Sequence, residues 1–159
     1  MPFSTLPESV AAALAERGYQ APTPVQAAVL EPEAQGRDLL VSAQTGSGKT
    51  VAFGVAMAED LLAARGIPDG AKAPRALVIA PTRELALQVS KELAWLFGKA
   101  GLRIVTCVGG MDPVRERRAL FQGADIVVGT PGRLRDHLER GALDLSAAAF
   151  AVLDEADEM

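Results

Sequence analysis

Two short stretches of this sequence hold residues whose types and spacing could do chemistry. Residues 43–50 read Ala43-Gln44-Thr45-Gly46-Ser47-Gly48-Lys49-Thr50, and residues 154–157 read Asp154-Glu155-Ala156-Asp157. In the first, Gly46 and Gly48 let the backbone wrap an anion with its N–H groups, and the helix expected to follow adds its positive N-terminal end. Lys49 has the reach to meet β- and γ-phosphates, and the Thr50 hydroxyl is placed to coordinate Mg²⁺. The strict phosphate-loop pattern begins with glycine; Ala43 stands there, so the match is to the relaxed form. In the second stretch, Asp154 is suited to hold Mg²⁺ through water, and Glu155 to orient or deprotonate an attacking water. A short acidic run after a strand, met alone, reads as a charge cluster at a helix start. Paired with a phosphate loop, it reads as the other half of a nucleoside-triphosphate site.

Such a site needs a scaffold that brings strand ends together, and the chain provides one. Apolar runs rich in branched residues fall at 38–43, 75–80, 102–108, 125–129 and 149–154. They are continuous rather than alternating, as expected of parallel strands covered on both faces. Helical patterns lie between them. The segment 9–17 stops at Gly18, and 49–65 stops at Gly66 with Pro68 beyond it. Over 84–97, Leu85, Val89, Leu93 and Leu96 form one stripe, suited to a helix lying on a sheet. Asp112-Pro113 and Thr130-Pro131 each read as an N-cap followed by a first-turn proline. The alternation predicts a doubly wound, mostly parallel α/β sheet with helices on both faces, and the phosphate loop at its first strand points to a P-loop NTPase. Residues 66–74 read as a surface loop.

Composition sets outer bounds. At 159 residues, 49% hydrophobic and 23% charged, the chain has the size and balance of one globular domain. No apolar stretch approaches the ~20 residues a membrane span needs, and the N-terminus has no signal-peptide pattern. Cys107 is the only cysteine, so it has no disulfide partner within the chain, and its apolar neighbours predict a buried, inert thiol. These features predict a cytoplasmic protein with no membrane partner. A net charge of −4 and a pI near 5.0 argue against holding nucleic acid by bulk electrostatics. Arginines 115, 117, 118, 133, 135 and 140 could still make a local basic face, though solvated helix faces paired with nearby acids are the default reading. His137, the only histidine, has no ligand-spaced partner and is given no role.

In one-letter code residues 154–157 spell D-E-A-D, and the chain resembles the DEAD-box family of ATP-dependent RNA helicases from Phe3 to Met159. Gly18–Gln26 resembles the family's Q motif, within a Q-motif region spanning 1–30. Residues 43–50 are similar to motif I, and Pro81-Thr82-Arg83-Glu84-Leu85 to motif Ia. Gly109-Gly110 resembles the family's glycine pair, Thr130-Pro131-Gly132-Arg133 motif Ib, and Asp154–Asp157 motif II. Six motifs in family order are far more specific than one. The resemblance implies ATP and Mg²⁺ as cofactors, with Gln26 bonding the adenine edge, Phe3 or Tyr19 stacking on the ring, and Thr23 supporting the loop. Read from the residues, Thr23-Pro24-Val25-Gln26 is also a capping box, and an amide can serve both purposes. Phe3 and Tyr19 would otherwise be core or staple residues.

The resemblance further implies a grip on the sugar–phosphate backbone of RNA through Pro81, Thr82, Arg83, Gly109, Gly110, Thr130, Gly132 and Arg133. Backbone N–H groups at helix starts, together with two arginines, can bind phosphates without reading bases. From the residues alone, Arg83 and Arg133 fit equally well as surface residues beside helix starts. Residues 1–159 would form a partial N-terminal RecA-like domain. Motif III, a central strand and the second RecA-like domain, with its catalytic arginines, would lie outside the chain. The expectation is that this chain alone turns over ATP slowly at best and is weakly stable. Alternatives are a nucleotide- or RNA-binding fragment without turnover, or another P-loop nucleic-acid-dependent ATPase, including one acting on DNA. A GTPase is disfavoured, since none of Lys49, Lys72, Lys91 and Lys99 lies in an Asn/Thr-Lys-x-Asp motif.

Overall fold

The computed structural model describes residues 6–19, 21–31, 48–63, 73–110 and 112–155. The expected strand at 38–43, most of the phosphate loop, the loop at 66–72 and Phe3 lie outside these residues. The elements run α1 (Glu8–Glu16), α2 (Pro24–Leu30), α3 (Lys49–Ala63), β1 (Ala76–Ile79), α4 (Arg83–Gly98), β2 (Ile104–Cys107), α5 (Pro113–Gln122), β3 (Ile126–Gly129), α6 (Pro131–Glu139) and β4 (Phe150–Leu153). They fall into two compact units, Met1–Ala64 with Trp95–Gly101, and Arg65–Ala94 with Leu102–Met159.

In the first unit, α1 buries Val10, Ala13 and Leu14, the i, i+3, i+4 spacing of one helix face. α2 opens with a complete capping box, Thr23 at the N-cap and Gln26 at N3, with Pro24 at N1. α3 buries Val51, Ala52, Val55, Ala58 and Leu61. Small residues at 52, 54 and 58 leave room for close packing along that stripe.

The second unit is built on a parallel sheet in the order β2-β3-β1-β4. All three pairings are parallel, so every connection is a crossover, and α4, α5 and α6 carry them, even between the sheet neighbours β2 and β3. β1 and β3 occupy the middle of this order, and in β3 every residue is buried. That explains why their sequences show no polar alternation. On one face Leu77, Val105, Cys107 and Val127 pack with Leu120 of α5 and Leu134 of α6. On α4 the expected stripe is present, with Val89, Leu93 and Leu96 buried. Among the described residues β4 stands at the sheet edge, and Leu153 at its end is 59% exposed.

Both expected N-cap and proline pairs stand where the sequence places them, but they cap by different bonds. Asp112 caps α5 as expected, its carboxylate accepting from the Val114 N–H at 2.9 Å. Thr130 occupies the N-cap position of α6 but makes no side-chain cap hydrogen bond. There the backbone serves, with Leu134 N–H reaching Thr130 O at 3.0 Å, and Pro131 removes one donor that would otherwise need an acceptor.

Candidate nucleotide and nucleic-acid sites

In the first unit the described end of the phosphate loop is Gly48, in the left-handed region at φ 82. Its carbonyl accepts from Ala52 N–H at 2.9 Å as α3 starts, and from Gln26 Nε2 at 3.2 Å. Gln26 is fully buried, and its Oε1 accepts from Thr23 N–H at 3.0 Å. The capping amide therefore also clasps the loop's last glycine. A Cβ at position 48 would collide with that amide, so the clasp requires glycine for space as well as for φ. Lys49 and Thr50 follow as the first residues of α3, both half-buried, where the helix dipole is positive. Tyr19 stacks its ring on Trp95 at 5.8 Å between centroids, and the Arg17 guanidinium lies 4.8 Å from the Trp95 ring. Ala43, Gln44, Thr45, Gly46, Ser47 and Phe3 lie outside the described residues.

In the second unit the parallel register lines up Cys107, Gly129, Ile79 and Leu153, the last residues of the four strands. The segments after them, carrying Gly109-Gly110, Thr130–Arg133, Pro81–Arg83 and Asp154-Glu155, consequently leave from one edge. That carboxyl edge is where open α/β sheets bind ligands. Asp154 is only 7% exposed, and its N–H donates to Ile79 O at 2.9 Å. Glu155 has φ 51, the only positive φ at a non-glycine among the described residues. A glutamate has no local reason to adopt that conformation, and strain of this kind collects at functional turns.

The loops after β1 and β2 meet directly. A Cβ on Gly110, at φ 85, would fall 2.8 Å from Arg83 Nη1, so the guanidinium lies against the bare glycine. Thr82 uses its hydroxyl to cap α4, accepting from Leu85 N–H at 3.2 Å. Pro81 and Thr130 are half-buried, and Gly109 and Gly132 are exposed. Arg133 is engaged within the protein: Nη1 donates to Glu116 Oε1 at 2.9 Å, and its side chain is 14% exposed. Arg135 and Arg140 pair along α6 with Glu139 at 2.9 Å and Asp136 at 3.1 Å. The bond from Arg140 holds the Asp136 carboxyl below its usual range. These pairs match the solvated-face reading of the arginine cluster.

Residue-level reading missed Glu116 and gave His137 no role. Glu116 is 5% exposed, accepts from Val108 N–H at 3.0 Å through Oε2, and meets His137 Nε2 at 2.8 Å through Oε1. The available signal was its place four residues before Leu120, on the inward stripe of an arginine-rich helix. Cys107, Glu116 and His137 bring their ligand atoms within 4.8 Å of one another. A cation there would face the Arg133 guanidinium already bound to Glu116. Burial, helped by the Glu116 charge, also pushes the Cys107 thiol up to about 12. Glu116 is thus the centre of a hydrogen-bonded hub with Val108, Arg133 and His137, beside the Cys107 thiol.

The family model for the DEAD/DEAH box helicases matches residues 23–159. The chain belongs to that family. It is 49% identical over 156 residues to the ATP-dependent RNA helicase DeaD of Haemophilus influenzae, covering 97% of this chain and 24% of that protein. It is 45% identical over 164 residues to the DEAD-box ATP-dependent RNA helicase 52A of Oryza sativa, covering 97% and 27%. The chain thus spans about a quarter of the length of the curated relatives it matches. Among solved structures it is similar to the RNA helicase Prp28 of Chaetomium thermophilum, crystallised bound to ADP, with a TM-score of 0.86 at 39% identity. That match covers 98% of this chain and 38% of the other. The yeast splicing factor Prp28 gives the same TM-score at 34% identity, over 97% and 37%. The fold of this DEAD-box chain is therefore the RecA-like α/β sheet expected from its sequence. Among the described residues no helix is long and apolar enough to cross a membrane.

Proposed function

We propose that this chain is the N-terminal RecA-like, ATP-binding domain of a DEAD-box RNA helicase. As part of a longer protein with a second RecA-like domain, it couples Mg·ATP binding and hydrolysis to gripping and unwinding RNA in the cytoplasm. The observation that carries this reading is the family match over residues 23–159, which takes in Gln26, Lys49, Thr50, Asp154 and Glu155 together.

The described residues fit a magnesium nucleotide in their chemistry. A left-handed glycine leads into a helix whose first residues are Lys49 and Thr50, a donor set for phosphate oxygens. A largely buried aspartate at a strand tip offers a carboxylate that could hold the water shell Mg²⁺ tends to keep. When bound, the nucleotide supplies the phosphoryl group and its leaving group. Lys49 would neutralise phosphate oxygens, while Thr50 and Asp154 would hold the metal, Asp154 through water. Glu155 would orient the attacking water and take its proton. Gln26 would read the adenine edge with the amide positions that Thr23 and Gly48 leave over.

For RNA, the starts of α4 and α6 and the Gly109-Gly110 turn would present N–H groups and guanidinium edges to phosphates, gripping the strand without reading its bases. Calorimetry with Mg·ADP is the direct test of the nucleotide site. Binding by the wild-type chain and a loss of at least tenfold in Lys49→Ala are expected, and equal affinities would sink the assignment. For RNA, Arg83→Ala should weaken binding of unrelated single strands by similar factors, with the log–log salt slope shallower by up to ~0.7.

A further inference from the structure

We propose that Glu116 is a positioning residue of the nucleic-acid face. Its buried carboxylate locks the Gly109-Gly110 turn to the first turns of α6, so that both loops meet a phosphate backbone as one preset surface. This rests on the RNA reading above.

Three bonds reach Glu116 from two different elements, the turn after β2 and helix α6. Val108, the residue before the glycine pair, donates its N–H to Oε2 at 3.0 Å. Arg133 Nη1 and His137 Nε2 lie 2.9 and 2.8 Å from Oε1. An ionised carboxylate only accepts, so this pattern assigns a hydrogen to His137 Nε2. Every partner is then a donor, and an amide at 116 would turn its NH₂ toward one of them. A buried carboxylate is costly unless paired, and an apolar side chain would fill the space more cheaply, as Leu120 does one turn later. Buried ionic contacts of this sort specify register, and here the elements in register are the ends of β2 and β3. The chain of contacts continues to β1, because Gly110 carries the Arg83 guanidinium against it. Glu116, 5% exposed, acts on RNA only through Arg133 and the Val108 amide.

The test uses the 159-residue chain, a fluorescent single-stranded oligouridylate, and the variants Glu116→Leu, Glu116→Gln, Arg133→Ala and the Glu116→Leu/Arg133→Ala double variant. Anisotropy should give about a tenfold loss of RNA affinity in Glu116→Leu and in Arg133→Ala, the double variant being no weaker than the worse single one. Glu116→Gln should fall between, and hydrogen exchange at the Val108 amide should quicken in both Glu116 variants. Mg·ADP affinity should stay at the wild-type value. Should Glu116→Leu fail to melt cooperatively, Glu116→Gln and the Val108 exchange rate decide. Losses that simply add, or Glu116 variants that bind RNA like wild type while Arg133→Ala is impaired, overturn the positioning role alone. A wild-type chain that ignores oligouridylate overturns the RNA reading and this proposal with it.

Discussion

Gln26 and Gly48 are joined side chain to backbone, the glutamine Nε2 donating to the glycine carbonyl at 3.2 Å. The same amide closes the capping box of α2 through Thr23 N–H. One buried side chain therefore fixes both the start of α2 and the last turn of the phosphate loop. Gln26→Ala removes both bonds, taking the acceptor from the Thr23 N–H and leaving the Gly48 carbonyl only its bond from the Ala52 N–H, at a cost of roughly 1–3 kcal/mol. Tm should fall by several degrees. Because Gly48 leads into Lys49, Mg·ADP affinity should fall several-fold in the same variant, as calorimetry would measure. A variant with wild-type Tm and wild-type affinity would show that the clasp contributes nothing.

Cys107 gives a pH dependence whose sign is fixed. Burial raises its thiol from the ordinary 9.0 to about 12, with the Glu116 charge adding to the rise and Arg133 opposing it. The folded state thus favours the neutral thiol. Its contribution is fully present below pH 9.0 and is lost as pH climbs from there toward 12. Melting curves between pH 8 and about 11 should show the wild type losing Tm more steeply than Cys107→Ala. In native conditions at neutral pH the thiol should also react with iodoacetamide far more slowly than in denaturant. Parallel Tm profiles for the two chains would contradict this account.

How much of this was legible in the residues depends on where the partner lies. The runs that became β1 and β3 were readable because strands covered on both faces are apolar throughout, a local property. The capping box at Thr23 and Gln26 was readable because its partners are three residues apart. The second bond of Gln26 was not, since its acceptor is a backbone carbonyl 22 residues away. Glu116 and His137 were missed for a related reason. A glutamate among arginines on a short helix looks like a solvated charge, and the groups it binds sit on other elements, one of them a main-chain amide. Tyr19 likewise meets Trp95 only through tertiary packing. Motif spacing located the strand-end residues, while the bonds that engage Arg133 and Thr82 within the protein needed coordinates.

Gly110 offers the sharpest test of how the loops after β1 and β2 fit together. At φ 85 any side chain is strained, by on the order of 1 kcal/mol. A Cβ would also stand 2.8 Å from Arg83 Nη1, closer than such contacts are found. The neighbour is the far end of a flexible side chain, so the Arg83 guanidinium rather than the backbone is what moves. Gly110→Ala should lower Tm by a few degrees. RNA binding should suffer more, because the displaced guanidinium is one of the proposed phosphate contacts. The expected pattern is an affinity loss for single-stranded RNA comparable to that of Arg83→Ala, with little further loss in the Gly110→Ala/Arg83→Ala double variant. Fluorescence anisotropy on the four chains measures this directly. Additive losses would mean that Gly110 and Arg83 meet the strand independently, and an unchanged affinity in Gly110→Ala would mean that Arg83 does not need the glycine to reach it.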